Sequence, residues 1–203
     1  MAYRAIGFDL LTALLDTWTL WSAVAGDRGL GMRWHGESQA LLRGRPYRPF
    51  PDIVRESATA AGVPAAKAEE LLRRWGGEFE PWPDVPEVLR RLGGRTRFIV
   101  TNCSRELGVR AAARAGTFDL VMTAEEAGAY KPDPRPYRAA LERLGLEGRD
   151  VLFVAGSAHD VGGATRAGMD VYWANRGGVP APTDATALRA LPDMRELVAL
   201  VEA

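Results

Sequence analysis

Beyond Arg97 short apolar runs alternate with helical stripes to the C-terminus, and that alternation restricts the fold more than any other feature of the chain. Phe98–Thr101, Phe118–Met122, Val151–Val154 and Val171–Trp173 are strand-length runs, and the apolar ones among them show no polar alternation, as strands buried on both faces require. Between them lie Arg105–Ala115, Pro134–Leu144, where Tyr137, Ala140, Leu141 and Leu144 share one face, and His159–Ala167. Met194, Leu197, Val198 and Val201 mark a last helix. Such a series predicts an α/β fold with a doubly wound parallel sheet. One further strand stands far upstream, in the run Tyr3–Leu11, which carries the carboxylate Asp9 at its carboxyl end.

Residues 16–95 hold no strand pattern. Ala68, Leu71, Leu72 and Trp75, then Val85, Val88, Leu89 and Leu92, fall at helical spacing, and proline-rich bends run over 44–51 and 80–84. The expected organisation is a core domain of residues 1–15 and 81–203 with a helical cap, residues 16–80, inserted after the first strand. A chain of 203 residues has room for one good core and a small second lobe.

Lys plus Arg and Asp plus Glu both number 26, so no net field recruits nucleic acid or an anionic membrane. The single cysteine, Cys103, excludes an internal disulfide framework and fits a reducing compartment. Asp9 and Asp16 interrupt the apolar N-terminal stretch, which therefore lacks the continuous apolar core of a signal segment. A cytoplasmic location is expected. With two histidines and one cysteine the chain has no zinc cluster.

In open α/β sheets, ligands bind at the carboxyl ends of the strands. Collecting those ends gives Asp9, then Thr101-Asn102, then the loop Tyr130-Lys131-Pro132, then Ser157 and Asp160. Singly each reads as a helix cap or a solvated charge. Together a carboxylate nucleophile, hydroxyl and amide donors, an ammonium and a second carboxylate compose an anion-handling nucleophilic site.

This ordered set, with a helical insertion after the first strand, resembles the haloacid dehalogenase superfamily of hydrolases over nearly the whole chain. The resemblance implies a Rossmann-like core. Most members are magnesium-dependent phosphatases with a second Asp two residues after the nucleophile, where this chain has Leu11. Their last motif carries a metal-binding Asp where this chain has Gly156. Leucine cannot protonate an alcohol leaving group, and magnesium loses a carboxylate.

The sequence is closer to the metal-free L-2-haloacid dehalogenases (type II), whose halide leaving group needs no proton. That likeness places Arg33, in Met32-Arg33-Trp34, on the arginine that meets the halide, with Asn102 beside it. Asp9 then attacks C2 of a 2-haloacid, forming an ester that water, handled by Asp160 with Lys131, hydrolyses. Thr101 belongs to the same motif as Asn102. The N–H groups after Asp9, on Leu10 and Leu11, and Ser157 hold the substrate carboxylate. Leu11, Trp34 and Tyr137 supply apolar walls, and His159 stands where the family has an aromatic one. The implied partner is a small carboxylate substrate, with no cofactor, and a homodimer is left open. Two departures, Ala13 for a supporting hydroxyl and Ala155 in the last motif, speak for one alternative, a repurposed, non-catalytic protein that binds a small carboxylate or a partner protein; the other alternative is a magnesium-dependent phosphohydrolase with a reduced site, against which Leu11 and Gly156 speak. A cap that closes over substrate follows from the two bends.

Overall fold

The computed structural model describes residues 3–43 and 46–202. The chain starts with β1 (Ala5–Phe8), a π-helical turn (Leu10–Leu14) and β2 (Leu15–Asp16). Four helices follow: α1 (Trp18–Ala25), α2 (Arg28–Leu42), α3 (Phe50–Ala61) and α4 (Ala65–Arg74). The chain returns through β3 (Glu80–Pro81) and α5 (Val85–Arg91) to β4 (Thr96–Thr101), α6 (Arg105–Ala115) and β5 (Leu120–Thr123). It continues with α7 (Ala124–Ala127), α8 (Pro134–Leu144), β6 (Val151–Ala155), α9 (Ala158–Arg166), β7 (Asp170–Ala174), β8 (Arg189–Leu191) and α10 (Leu197–Glu202).

The main sheet runs β5-β4-β1-β6-β7-β8, with every pair parallel. The expected doubly wound sheet is therefore what the chain forms. β1 lies in the middle, Phe8 opposite both Ile99 and Val154. Alternation along the strands explains the unbroken apolar runs. Ile6, Phe8, Ile99, Leu152 and Val154 join one apolar cluster, and Ala5, Phe98, Val100, Phe153 and Ala155 the other. β1, β4 and β6 thus bury both faces, while the edge strand β8 stays largely exposed.

α6 and α8 begin and end where the apolar stripes place them. Residues 16–95, read as strand-free, contain β3, which pairs antiparallel with β2 through Leu15–Pro81 and Asp16–Glu80. Two-residue strands are too short for an alternating pattern, and the proline at one of them argues against a strand on sequence grounds. Of the bend over 44–51, Gly44 and Arg45 lie outside the described residues.

The four inserted helices share the apolar cluster on one sheet face, through Trp21, Trp34, Leu71 and Trp75 among others. Trp21 is the hub. Its ring meets Trp34 edge-on at 4.8 Å and Trp75 at 6.0 Å, pairs worth about 0.5–1.5 kcal/mol each beyond their burial. Asp27 caps α2 by accepting from the Leu30 N–H at 2.8 Å, which fixes where that helix starts and hence its rotation over the sheet. No helix among the described residues is long and apolar enough to cross a membrane.

Candidate active site

Asp9 follows β1 directly, and its own backbone N–H still pairs with the Val154 carbonyl at 2.9 Å. Its side chain caps the π-helical turn. Oδ2 accepts from the Thr12 N–H (3.0 Å), the Thr12 hydroxyl (2.8 Å) and the Ala13 N–H (3.2 Å). The hydroxyl that seemed lost at Ala13 is thus supplied by Thr12. The wide turn brings position 12 round to the carboxylate, and sequence spacing does not register that change of pitch.

Lys131 extends its ammonium between two carboxylates, 2.7 Å from Asp9 Oδ1 and 3.0 Å from Asp160 Oδ1. All three groups are about 95% buried, so the charges persist only because the ammonium is paired with the carboxylates. Burial pushes the Asp9 carboxyl up, but Lys131, with the Thr12 bonds, outweighs it and holds the group below the ordinary carboxylate range. Burial raises Asp160 above that range, with the charge of Asp9 adding to it and the pull of Lys131 not enough to reverse it. For Lys131 burial works against the charge, yet the two carboxylates raise its pKa. One carboxylate is kept anionic and the other is made more basic, the division of labour expected of a nucleophile and a proton acceptor.

A cavity of about 280 Å³ opens on this trio between the strand ends and the inserted helices. Asp9, Leu11, Asn102, Lys131, Ser157, His159 and Asp160 line it from the sheet side, and Trp18, Trp21, His35, Gln39, Arg43 and Trp75 from the helical side. Its size is near the low end of small-molecule sites, about 300–1,000 Å³. Desolvation holds the His35 imidazole down to about 4, so it is a neutral wall at pH 7.

Several residues expected at the site stand elsewhere or act differently. Arg33 does not line the cavity. Its Nε and Nη2 donate to the Ala61 carbonyl at 3.3 and 2.9 Å. The face of α2 that meets the cavity is His35, Gln39 and Leu42, and at about 100° per residue position 33 lies on the opposite side. Arg43 is on the cavity side, and its Nη1 donates to His159 Nε2 across the opening at 3.1 Å. Trp34 is buried between inserted helices, donating to Ser57 Oγ at 3.0 Å, and the aromatic walls are Trp18, Trp21, Phe50 and Trp75 instead.

Tyr137 is also off the cavity wall. Its hydroxyl donates to Asp160 Oδ1 at 2.8 Å, and its ring lies against Gly163, where any Cβ would come within 2.7 Å of it. Ser157 caps α9, accepting from the Asp160 N–H and donating to Asp160 Oδ2, both at 3.2 Å. Asn102 spends both ends of its amide on the backbone of Lys131: Oδ1 accepts from its N–H at 2.7 Å and Nδ2 donates to its carbonyl at 3.2 Å. It aims the lysine. Thr101, fully buried, turns its methyl toward Gly108 on α6 and its hydroxyl toward Cys103 Sγ at 3.6 Å, away from the cavity. Leu10 is fully buried and does not line the cavity, whereas Leu11 does.

The donor set does not suit magnesium, which wants six near-octahedral oxygens at about 2.1 Å. An ammonium occupies the space between the two carboxylates. A Cβ at Gly156 would lie 2.2 Å from Thr12 Oγ1 and 2.5 Å from both the Ala13 nitrogen and Asp9 Oδ2, so no carboxylate can grow from that position while the turn keeps its shape. Among the described residues no three His, Cys, Asp or Glu side chains are grouped to hold a metal. Gly156→Ala is accordingly expected to displace Thr12 from Asp9 and to cost at least about tenfold in turnover. Wild-type turnover in that variant, with the Thr12–Asp9 contact intact in a crystal structure, would contradict this account of the turn.

The family model described as haloacid dehalogenase-like hydrolase matches residues 31–168. (S)-2-haloacid dehalogenase 1 of Pseudomonas sp. (strain CBS-3) is 36% identical over 194 residues, covering 85% of each chain. (S)-2-haloacid dehalogenase 4A of Burkholderia cepacia is 37% identical over 109 residues, 51% of this chain and 47% of that protein, so the chain spans about half the length of that relative. A phosphoserine phosphatase of Thermus thermophilus is 32% identical over 189 residues, 87% of this chain and 76% of the other. In three dimensions, a solved dehalogenase with an intermediate complex is similar at a TM-score of 0.89 and 26% identity, over 100% of this chain and 98% of that one.

Proposed function

Because the chain belongs to the haloacid dehalogenase-like hydrolases, we propose that it removes halide from a small 2-haloacid by hydrolysis, without a metal and through an ester on Asp9. The observation that carries this reading is the ammonium of Lys131 set between Asp9 and Asp160. It keeps a nucleophile ionised in a buried site, beside a second carboxylate placed to handle water.

The first step is displacement. Asp9 Oδ2 is held by three donors, so Oδ1 is the oxygen that reacts. It forms a bond to C2 as the carbon–halogen bond breaks, and the halide leaves with the bonding pair. Protonation is not required, which makes Leu11 acceptable where a phosphatase has its acid. Arg33 is committed to Ala61, so the cation meeting the halide is Arg43, presented over the cavity by His159. Residues 16–80 act as the cap that brings it there. The substrate carboxylate is held at the start of the π-helical turn, with Ser157 donating to it once its hydroxyl turns from Asp160.

The second step is ester hydrolysis. Water adds to the Asp9 carbonyl carbon and gives its proton to Asp160, whose raised basicity suits it to the task. Negative charge gathers on Oδ2, where the Thr12 and Ala13 donors already point. Collapse breaks the bond between the carbonyl carbon and Oδ1. The proton on Asp160 passes to the departing oxygen, releasing a 2-hydroxy acid and leaving Asp9 as its carboxylic acid, which gives the second water proton to solvent and so regains its charge.

A panel of L- and D-2-chloropropionate, haloacetates and a generic phosphate ester, each with chelator and with magnesium, tests the proposal. Halide release from the L-acid, unchanged by chelator, is the expected result. Phosphate release that depends on magnesium, with no halide release, would instead favour the phosphohydrolase reading, for which the Thermus relative is the main support.

A further inference from the structure

The N–H groups of Thr12 and Ala13 belong to two peptide planes whose carbonyls, on Leu11 and Thr12, point the other way. Both carbonyls are gripped from outside the turn. The Thr17 hydroxyl donates to the Leu11 carbonyl at 2.8 Å, and the Trp82 Nε1–H donates to the Thr12 carbonyl at 3.0 Å. Trp82 also gives its backbone N–H to the Leu14 carbonyl at 3.0 Å.

Trp82 is itself braced. The Arg176 guanidinium lies over its ring at 5.2 Å and donates to the next carbonyl of the turn, on Ala13, at 3.0 Å. Arg176 is pinned in turn by Asp84 through contacts of 2.6 and 3.0 Å, and Asp84 accepts from the Met194 N–H at 2.8 Å. The pair is about 95% buried, an expensive arrangement that surface loops do without.

We infer that Thr17 and Trp82, backed by Arg176, are positioning residues that fix the two peptide planes stabilising charge on Asp9 Oδ2 during ester hydrolysis. A peptide plane is rigid, so holding its carbonyl end holds the direction of its N–H end. A turn with free carbonyls would let the two N–H groups rock away from the carboxylate. Trp82 and Arg176 stand outside the cavity, and Thr17, though it lines the cavity, spends its hydroxyl on the Leu11 carbonyl; none of the three contacts Asp9. Their effect falls on the second step, where charge accumulates on Oδ2, and hardly on the first, where charge leaves Asp9. This inference rests on the dehalogenase reading for its kinetic form.

Trp82→Phe keeps the ring under Arg176 and removes the indole N–H, and Thr17→Val is isosteric and removes the hydroxyl. In rapid-quench experiments with L-2-chloropropionate, both variants are expected to release the first equivalent of halide within about threefold of the wild-type rate. Ester hydrolysis is expected to slow at least about tenfold, less than the full loss of an oxyanion donor. The ester should then accumulate as a mass adduct on the peptide containing Asp9, with KM and kcat falling together. Equal slowing of both steps, or no slowing of either, overturns the proposal. If the wild-type protein releases no halide at all, it is the dehalogenase reading that fails. The positioning role is then read from the pH titration of Asp9 by carbon-13 NMR. The Asp9 pKa rises in both variants if the planes are held as described, and an unchanged titration overturns the inference.

Discussion

Asp9→Asn is expected to release no halide above background from any 2-haloacid, the largest loss any single substitution here should produce. An amide oxygen lacks the charge needed to displace halide from carbon. Asn also places an NH2 group where either Lys131 or the Thr12 and Ala13 donors require an acceptor. The companion measurement fixes the mechanism. The proposed ester is attacked by water at the Asp9 carbonyl carbon, so in a single turnover in oxygen-18 water the label is expected in Asp9 and an old carboxylate oxygen in the product. Label found in the product of that first turnover would mean direct attack by water at C2. Asp9 would then serve as a base, and the covalent step would be lost.

Lys131→Met should come next in size and act on stability as well as on rate. It leaves two buried carboxylates facing each other across the space the ammonium filled. Breaking a buried pair costs about 3–5 kcal/mol, and turnover should fall at least about a hundredfold. The pH dependence has a definite sign. In the wild type the depressed pKa of Asp9 contributes stability above its ordinary value, which is lost as pH falls through the lower folded value. The raised pKa of Lys131 contributes below its ordinary value and is lost only as pH climbs through the higher folded value. Between those limits Asp9 and Lys131 both contribute at neutral pH, against the raised pKa of Asp160, which withdraws stability as pH climbs through its folded value. Without the ammonium, burial is countered only by the Thr12 bonds on Asp9 and the Tyr137 bond on Asp160, and both carboxyls move up. Both groups are then most stable protonated, so the variant should be most stable in mild acid and lose stability as pH rises toward 7. Denaturant titrations at about pH 4.5 and 7.5 read this, and a destabilisation equal at both values would rule the argument out.

The trio itself could be found in the sequence because strand ends in a parallel sheet converge, and Asp9, Lys131 and Asp160 all stand at or just beyond such ends. Helix phase was harder. Motif spacing assigns Arg33 a number along α2 but not a direction, and the rotation that puts His35, Gln39 and Leu42 over the cavity turns Arg33 to the far side. Leu10–Leu14 carries no local mark of a π-helical turn, because what holds it wide is the side chain of Asp9 on one side and Thr17, Trp82 and Arg176 on the other. Of these, Arg176 had a signal, since it lies two residues beyond the end of β7, where the same strand-end rule applies. Asn102, Tyr137 and Ser157 lie beside Lys131 and Asp160, but their contacts there depend on hydrogen-bond geometry that spacing does not encode.

The central place of β1 has a consequence for how the protein comes into being. Its partners, β4 and β6, are drawn from residues 96–101 and 151–155. A chain emerging from the ribosome N-terminus first therefore presents β1 with both edges unpaired while the inserted helices, whose contacts are nearer in sequence, can already assemble. Asp9 meets its lysine only when residue 131 has been made, and the strand that carries it is closed on its second edge later still. Nascent chains halted short of Val151 would bear an open, apolar strand edge, the kind of surface that chaperones bind and that pairs with its own copies. Asp9 is thus synthesised well before the lysine and the second flanking strand that fix its place.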